Sequence, residues 1–552
     1  MLTELMPDDA ALAELLGATH QRFQRLIAEA EIKARPFYAK VLGHEASISQ
    51  VIDEVFTAVE RDGDAAVAHY TKLFDGAAIP ASALRVPSSE LADAWENCNP
   101  HFRNAITFAI HQVEAYQRRL MPRSFGTNLD ESLGVRWSPL ARVGAYIPGG
   151  PKGSLPLFSS VIMNLVPAKV AGVRELVLVT PPREDGSIAP ELLAAAHAVG
   201  VTEVYRVGGI PAIAALACGT PSIRSVDKIV GPGNLYVTLA KRHAYGRVDI
   251  DMLAGPSEIL IIADESANPA FVAADLLSQA EHDTLAMAVC ITVGNGVASA
   301  IQQELSNQID SLPEERRAVA AESIRRFGRL IRCADYAQAV HIANRIAPEH
   351  LELQVKKPKT ILPQVTNAGA IFIGPWSPEP IGDYVAGPSH TLPTGGTARM
   401  WSGIGVDTFL RRTSIVNFSE ADFRHCADAG LILARGEGLE AHARSIEIRL
   451  RGSAIHASSR GMTDVMCDQC DPFFLPVGVG PDRAWRQQLD RLRTAIADDV
   501  LAIVGGQMPA DGCTSPTCAR ITATCTSCGQ LFLLERGMCS AFGDQWHPLH
   551  GN

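Results

Sequence analysis

EILIIADESANPAFVAADLLSQAEHDTLAMAVCITV, residues 258–293, opens and closes on an apolar run. EILIIA (258–263) and AVCITV (288–293) are rich in β-branched residues, and a helical pattern begins after Pro269 between them. Two buried strands joined through a helix form a crossover, which is the connection that parallel strands require. The same alternation extends outward to LVLVT at 176–180, VYRV at 204–207, KIV at 228–230 and AIFIG at 370–374. Continuous apolar strands are strands covered on both faces, so the chain is predicted to be α/β, with two Rossmann-like parallel-sheet domains.

From about Ile48 to Tyr116 the apolar residues recur every three or four positions (Val51, Val55, Val59, then Val67, Tyr70, Leu73), the spacing of amphipathic helices. Residues 1–40 read as an N-terminal helical extension without identifiable chemistry. A first, discontinuous α/β domain is expected over 41–145 and 258–405, a second over 146–257, and a C-terminal helical segment over 406–455. Past Gly452 the composition breaks into Ser, Gly and Cys around one helical stretch, about Asp482 to Ile503. A boundary near 455 and a small cysteine-rich module over 456–552 follow.

The 552 residues are 47% hydrophobic and 20% charged, which is ordinary for a globular protein and long enough for several cores. A formal net charge of −11 argues against coating nucleic acid or an anionic membrane. The first two dozen residues lack a basic segment followed by an apolar one, and no later run is long and apolar enough to span a bilayer. A cytoplasmic protein acting on a small molecule is expected.

Four constellations carry titratable groups. Gln279 and His282 lie three apart in DLLSQAEHD, where one helix face would hold both. Glu349 and His350 adjoin each other in APEHLEL after a proline that favours a turn, and such a pair can divide proton work. Asp383 and His390 stand in GDYVAGPSHTLPTGGTAR, 382–399, a long loop rich in Gly, Pro, Ser and Thr. Glu437 and His442 begin the helical stretch EGLEAHARSIEIRL. Taken singly, each also reads as a surface turn or a solvated helix face. The turns YIPGG (146–150) and GPGN (231–234) let backbone approach a ligand closely, yet neither is a GxGxxG fingerprint.

The ordered set decides among these readings. YIPGG, VGG-x-x-AIAALA-x-GT (207–220), VDKIVGPGN (226–234), DMLAGPSE (251–258), DLLSQAEH, PEHL, GDY-x-x-G-x-x-H-x-LPT (382–394) and E-x-L-x-AH (437–442) resemble the histidinol dehydrogenase family in order and spacing, over about residues 45–452. The resemblance implies oxidation of L-histidinol to L-histidine through L-histidinal, with one Zn²⁺ per site and NAD. It implies Gln279, His282, Asp383 and His442 as zinc ligands, His350 as the base, and Glu349 as the group activating water. Ser257, Glu437 and His390 would contact substrate beside the metal ligands and His350. Tyr146 and Asn234 match cofactor positions on the 146–257 side. The third cofactor position is Pro211, which has no side-chain hydrogen bond to offer, and the stretch 149–160 is about three residues longer than usual. The family resemblance further implies a homodimer with exchanged C-terminal segments, 406–455 completing the partner's metal site. Relatives of the same fold oxidise other alcohols, notably a sulfonated propanediol. Ser257 and Glu437 match the histidinol-using pattern, and a carboxylate suits a cationic substrate.

The tail lies outside that resemblance. Cys467 and Cys470, Cys513 and Cys518, Cys525 and Cys528, then Cys539 are candidate ligands of a second, structural Zn²⁺, with the pairing open between several sets. Without a basic stripe, a structural or protein-binding module is expected over a nucleic-acid-binding one.

Overall fold

The computed structural model describes residues 1–149, 156–294, 296–457, 494, 496–497, 501–505, 519–525, 531–536 and 545–549. The strands in chain order are β1 (Thr3–Leu5), β2 (Leu133–Pro139), β3 (Arg142–Tyr146), β4 (Glu175–Thr180), β5 (Glu203–Arg206), β6 (Lys228–Val230), β7 (Asp249–Ile250), β8 (Glu258–Ala263), β9 (Met287–Val293), β10 (Arg329–Cys333), β11 (His350–Gln354), β12 (Ala370–Ile373), β13 (Leu410–Val416), β14 (Leu501–Gly505), β15 (Ala519–Cys525), β16 (Leu531–Arg536) and β17 (Gln545–Leu549).

Two wholly parallel sheets result, ordered β1-β10-β9-β8-β11-β12 and β5-β4-β3-β6-β7. The α/β expectation holds. β8 pairs with β9 from Glu258↔Met287 to Ala263↔Thr292, and the helix Pro269–Ala280 is their crossover. Every residue of β8 is buried, which is why its sequence shows no polar alternation.

The helices Ile48–Asp62 and Asp64–Asp75 bury Val51, Val55, Val67 and Tyr70 against Val177, Val179 and Tyr205 of the five-stranded sheet. The helix Pro100–Arg119 covers the opposite face, where Ile106 and Val113 share a core with Leu176 and Leu178. The helices of 48–119 therefore pack on the strands of 146–257, where a domain shared with 258–405 was expected, while β2 pairs with β13; β3 begins at Arg142, four residues before the expected boundary. Helical periodicity identifies the stripe that is buried but not the sheet that buries it.

Residues 1–40 are more than an appendage. β1 extends the six-stranded sheet through Thr3↔Arg329. The helix Ala10–Leu42 buries Leu12 in a core of that sheet and Ala34 and Tyr38 in a core of the other. A three-residue strand is too short to display a period of two.

The chain divides between Asn417 and Phe418 rather than near 455. The first unit includes an antiparallel ribbon of β2 and β13. The second holds the helices Glu420–Gly436 and Glu440–Ala457 and the antiparallel sheet β14-β15-β16-β17. Ile503, expected to end a helix, lies in β14. Cys467, Cys470, Cys513, Cys518, Cys528 and Cys539 lie outside the described residues, and of Cys525 only the backbone, at the end of β15, is described. No helix among the described residues is long and apolar enough to cross a membrane.

Arg142, 5% exposed at the start of β3, reaches Glu175 and Glu203 at 2.7 Å each. The Arg142 hydrogen bond draws the Glu203 carboxyl from 4.5 down to about 2. A depressed folded-state value stabilises the fold above the unfolded value, and that contribution is lost as pH falls through the folded one. Glu203→Gln is expected to lower stability at pH 6 and to flatten its decline between pH 4.5 and 2, read by urea unfolding. Parallel pH profiles for the two proteins would refute this.

Candidate active site

β11 runs inside the six-stranded sheet between β8 and β12 and begins with His350, which is 2% exposed. The expected turn ends just earlier, at Ala347 (φ 50°), so the histidine is fixed by strand pairing. Its Nδ1 lies 3.0 Å from the Glu258 carbonyl oxygen. A carbonyl only accepts, so the neutral ring carries its proton on Nδ1 and its lone pair on Nε2. Nε2 sits 3.8 Å from both Glu379 Oε1 and Asp383 Oδ1 and has no hydrogen-bond partner among the described residues. Burial, reinforced by His282 and His390, lowers its basicity to about 3. The resting ring is therefore neutral, with its Nε2 lone pair free to accept a proton.

The neighbouring Glu349 is buried, and its Oε2 accepts from the Glu258 amide at 2.8 Å. Burial, with Glu258, Asp383 and Glu379 nearby, holds its carboxyl well above the ordinary carboxylate range. Asp383 lies not in a long loop but in the short helix Glu379–Tyr384. Burial raises Asp383 to about 6 and Glu379 to about 9. Glu379 Oε2 accepts from Ser278 Oγ at 3.2 Å, and its amide donates to Glu352 at 2.8 Å. His350, Glu379 and Asp383 offer donor atoms all within 4.8 Å of one another. Sequence reasoning missed Glu379. Its spacing of four from Asp383 is a helix-face signal, but the intervening Pro380 and Gly382 obscure the helix.

Gln279 is 1% exposed, and its Oε1 has no hydrogen-bond partner among the described residues. The helix ends at Ala280, so His282 belongs to the following turn, its amide 3.3 Å from the Gln279 carbonyl oxygen, rather than to a shared helix face. His282 has an exposed edge, yet dense surroundings and then His390 lower its basicity. His390 contacts the Asp383 carbonyl oxygen through Nδ1 at 3.1 Å and Ser160 Oγ through Nε2 at 3.0 Å. Burial lowers it to about 4. Ser160 is a second residue that the sequence did not single out. A cleft of about 630 Å³ is lined by His350, Asp383, His390, Phe372, Trp137 and Asp407.

Ser257, half-buried, immediately precedes β8. Glu437 caps the end of the helix Glu420–Gly436 rather than starting the next, and His442 lies in the helix Glu440–Ala457; both are exposed and both belong to the second unit. Buried acceptors without donors cost about 1–3 kcal/mol each, a penalty that a bound cation removes. The buried, unpartnered Gln279 Oε1 beside the raised carboxyls of Asp383 and Glu379 thus fits a divalent cation, and a mixed N/O donor set suits zinc.

In the five-stranded sheet the strand order reverses between β3 and β6, the switch point where open parallel sheets bind ligands. Tyr146 ends β3, and Gly231 (φ +108°) approaches it so closely that a Cβ there would stand 2.2 Å from the Tyr146 carbonyl oxygen. Asp251 accepts from the Gly231 amide at 2.8 Å, while Lys241 donates to the Gly231 carbonyl at 3.0 Å and pairs with Asp251. Asn234 caps the helix Leu235–Ala244, and buried Pro211 sits in the first turn of Gly209–Cys218, where a missing amide costs nothing. Of the lengthened stretch 149–160, residues 150–155 lie outside those described. Lys241→Met would strand the Asp251 carboxylate in the interior and is expected to cost about 3–5 kcal/mol in urea unfolding. A loss below about 1 kcal/mol would refute that role.

A family model described as histidinol dehydrogenase matches residues 41–450. The chain is 50% identical over 427 residues to the histidinol dehydrogenase of Moorella thermoacetica, covering 77% of this chain and 99% of that one. It is 49% identical over 412 residues to that of a Synechococcus species, covering 74% and 93%. The crystal structure of histidinol dehydrogenase from Elizabethkingia anophelis superposes with a TM-score of 0.73 at 33% identity, covering 82% of this chain and 99% of that one.

Proposed function

The chain belongs to the histidinol dehydrogenase family, and from that premise we propose that it catalyses the zinc-dependent, NAD-linked four-electron oxidation of L-histidinol to L-histidine through L-histidinal. The observation that carries this reading is the buried, unpartnered Nε2 of His350 facing Asp383 and Glu379 in the cleft. Gln279, His282 and Asp383 would hold the metal, with His442 as the fourth ligand. When bound, zinc supplies the charge that anchors the substrate's nitrogens, and NAD supplies the acceptor for the hydride leaving the carbinol carbon.

His350 Nε2 takes the hydroxyl proton of the alcohol. Water then adds to the aldehyde as Glu349 takes its proton, and a hydroxyl proton of the resulting hydrate passes to His350 in the second oxidation. Each oxidation removes two electrons. Retention of the aldehyde at the site between the two oxidations would keep it from escaping. Tyr146 and Asn234 flank the crevice proposed for NAD. Ser257, His390 and Glu437 are proposed to contact substrate.

His442 and Glu437 lie on exposed helices, which supports a homodimer in which each copy completes the other's site. A cytoplasmic setting accords with a biosynthetic oxidoreductase of this family. The Glu437 carboxylate proposed beside the substrate suits a cationic alcohol and disfavours a sulfonated diol. The test is NADH formation by the purified protein with histidinol. Two NADH per histidinol are expected, with loss of turnover in a strong chelator and recovery on adding zinc. Turnover of a sulfonated diol alone would overturn the reading.

A further inference from the structure

One face of the interior strand β11 breaks the apolar rule of its sheet. His350, Glu352 and Gln354 alternate along it, all buried, in register with Ile259, Ile261 and Ala263 of β8. Those three β8 residues share a core with Val272, Ala273 and Leu276 of the covering helix Pro269–Ala280. Leu351 and Leu353, on the opposite face, join a second apolar core. His350 serves the proposed oxidation, whereas Glu352 has no part in it, and a wholly buried carboxyl is costly unless its oxygens are satisfied. Its Oε1 accepts from the Glu379 amide at 2.8 Å and its Oε2 from Gln354 Nε2 at 3.2 Å. The same carboxyl hydrogen-bonds that of Asp275, which is buried on the covering helix. Two carboxyls can share a hydrogen bond only while one keeps its proton. Burial, reinforced by Asp275, raises Glu352 well above the ordinary carboxylate range, and burial raises Asp275 to about 6.

The Glu379 amide opens the helix Glu379–Tyr384, whose cap residue, Pro378, has no side-chain acceptor. The first amides of a helix need acceptors from outside it, and Glu352 supplies one from another strand, as an N-cap side chain does locally. Ser278 adds a bond to the Glu379 side chain at 3.2 Å. A helix of six residues has little cohesion of its own, so its direction depends on such ties, and Asp383 stands one turn beyond the tied amide. We propose that Glu352, backed by Asp275, is a positioning residue of the metal site: it fixes the start of the helix Glu379–Tyr384 and so sets where the Asp383 carboxylate meets the cation. This rests on the reading of Asp383 as a metal ligand. Neither Glu352 nor Asp275 lines the cleft, so the influence runs through the backbone of the short helix.

The test is metal release from the full chain loaded with Co²⁺ in place of zinc, without substrate. Transfer to a chromophoric chelator gives the rate, and the visible cobalt bands report ligand geometry. Glu352→Met keeps the length of the side chain and removes the acceptor for the Glu379 amide. It is expected to release metal about 10- to 100-fold faster, the range for residues behind metal ligands, with shifted bands. Glu352→Gln restores an acceptor and offers Asp275 a donor, so rate and bands should return to those of the wild type. Glu203→Gln, which weakens the Arg142 pair in the other sheet, controls for loss of stability and should release metal at the wild-type rate. Wild-type release and bands in Glu352→Met, failure of Glu352→Gln to rescue, or equal acceleration in Glu203→Gln would each overturn the assignment. If the wild type takes up no metal, or Asp383→Asn releases it as slowly as the wild type, the reading of Asp383 as a ligand falls first. Should Glu352→Met not fold, Glu352→Asp, which withdraws the carboxyl by one methylene from the Glu379 amide, decides by the same two measurements.

Discussion

His350→Asn is expected to lower histidinol oxidation by about 100- to 10,000-fold with little loss of stability, the range by which positioned general bases act. Asparagine restores a donor toward the Glu258 carbonyl, which Nδ1 now meets at 3.0 Å, but removes the Nε2 lone pair that faces the carboxylates. Fold and metal content should therefore survive, and kcat should carry the loss with KM nearly unchanged. Glu349→Gln separates the two oxidations. Its amide can still meet the Glu258 amide through oxygen but cannot take a proton from water, so pre-steady-state kinetics should show the first NADH forming and the second slowed. Wild-type turnover in His350→Asn would remove the histidine from the mechanism, whatever else the cleft does.

Asp383→Asn carries the second large effect. The Asp383 carboxylate lies beside His350 and Glu379, mostly buried at the edge of the cleft. Deleting its charge is expected to weaken metal retention by about 100-fold or more, beyond the 10- to 100-fold typical of residues behind the ligands. Metal analysis after gel filtration should find the variant depleted, with activity partly recovered in excess zinc. Full metal retention at wild-type activity would exclude Asp383 as a ligand. Ser278→Ala supplies contrast. It touches Glu379 from behind, so a small change is expected there.

How much of this was legible beforehand depends on the range of each interaction. The strands of 258–293 were plain because burial on both faces leaves an unbroken apolar record in the five residues Ile259–Ala263. His350 was singled out as a residue, but its placement at the head of an interior strand was not, since Pro348 and the adjacent helix end precede it with turn signals. Glu379 stayed hidden because its role arises from Asp383, one helical turn on, and from Ser278, 101 positions away. Gln279 and His282 were read as sharing one helix face, but the helix stops between them, at Ala280, where spacing in sequence gives no sign of an end. The packing of 48–119 on the five-stranded sheet could not be read at all, because an apolar stripe fits either sheet equally well.

The long helix Ala10–Leu42 has a practical consequence for trimming this protein. The family match starts at residue 41, which invites the removal of everything before it. Yet Thr3–Leu5 closes one edge of the six-stranded sheet, and a single rod anchors Leu12 at one end and Tyr38 at the other, on different cores. That rod acts as a strut that fixes the spacing of the two sheets. A shortened chain would expose the edge of β10 to unwanted strand addition and free the sheets to drift apart, so the smallest dependable catalytic body starts at the first residues of the chain.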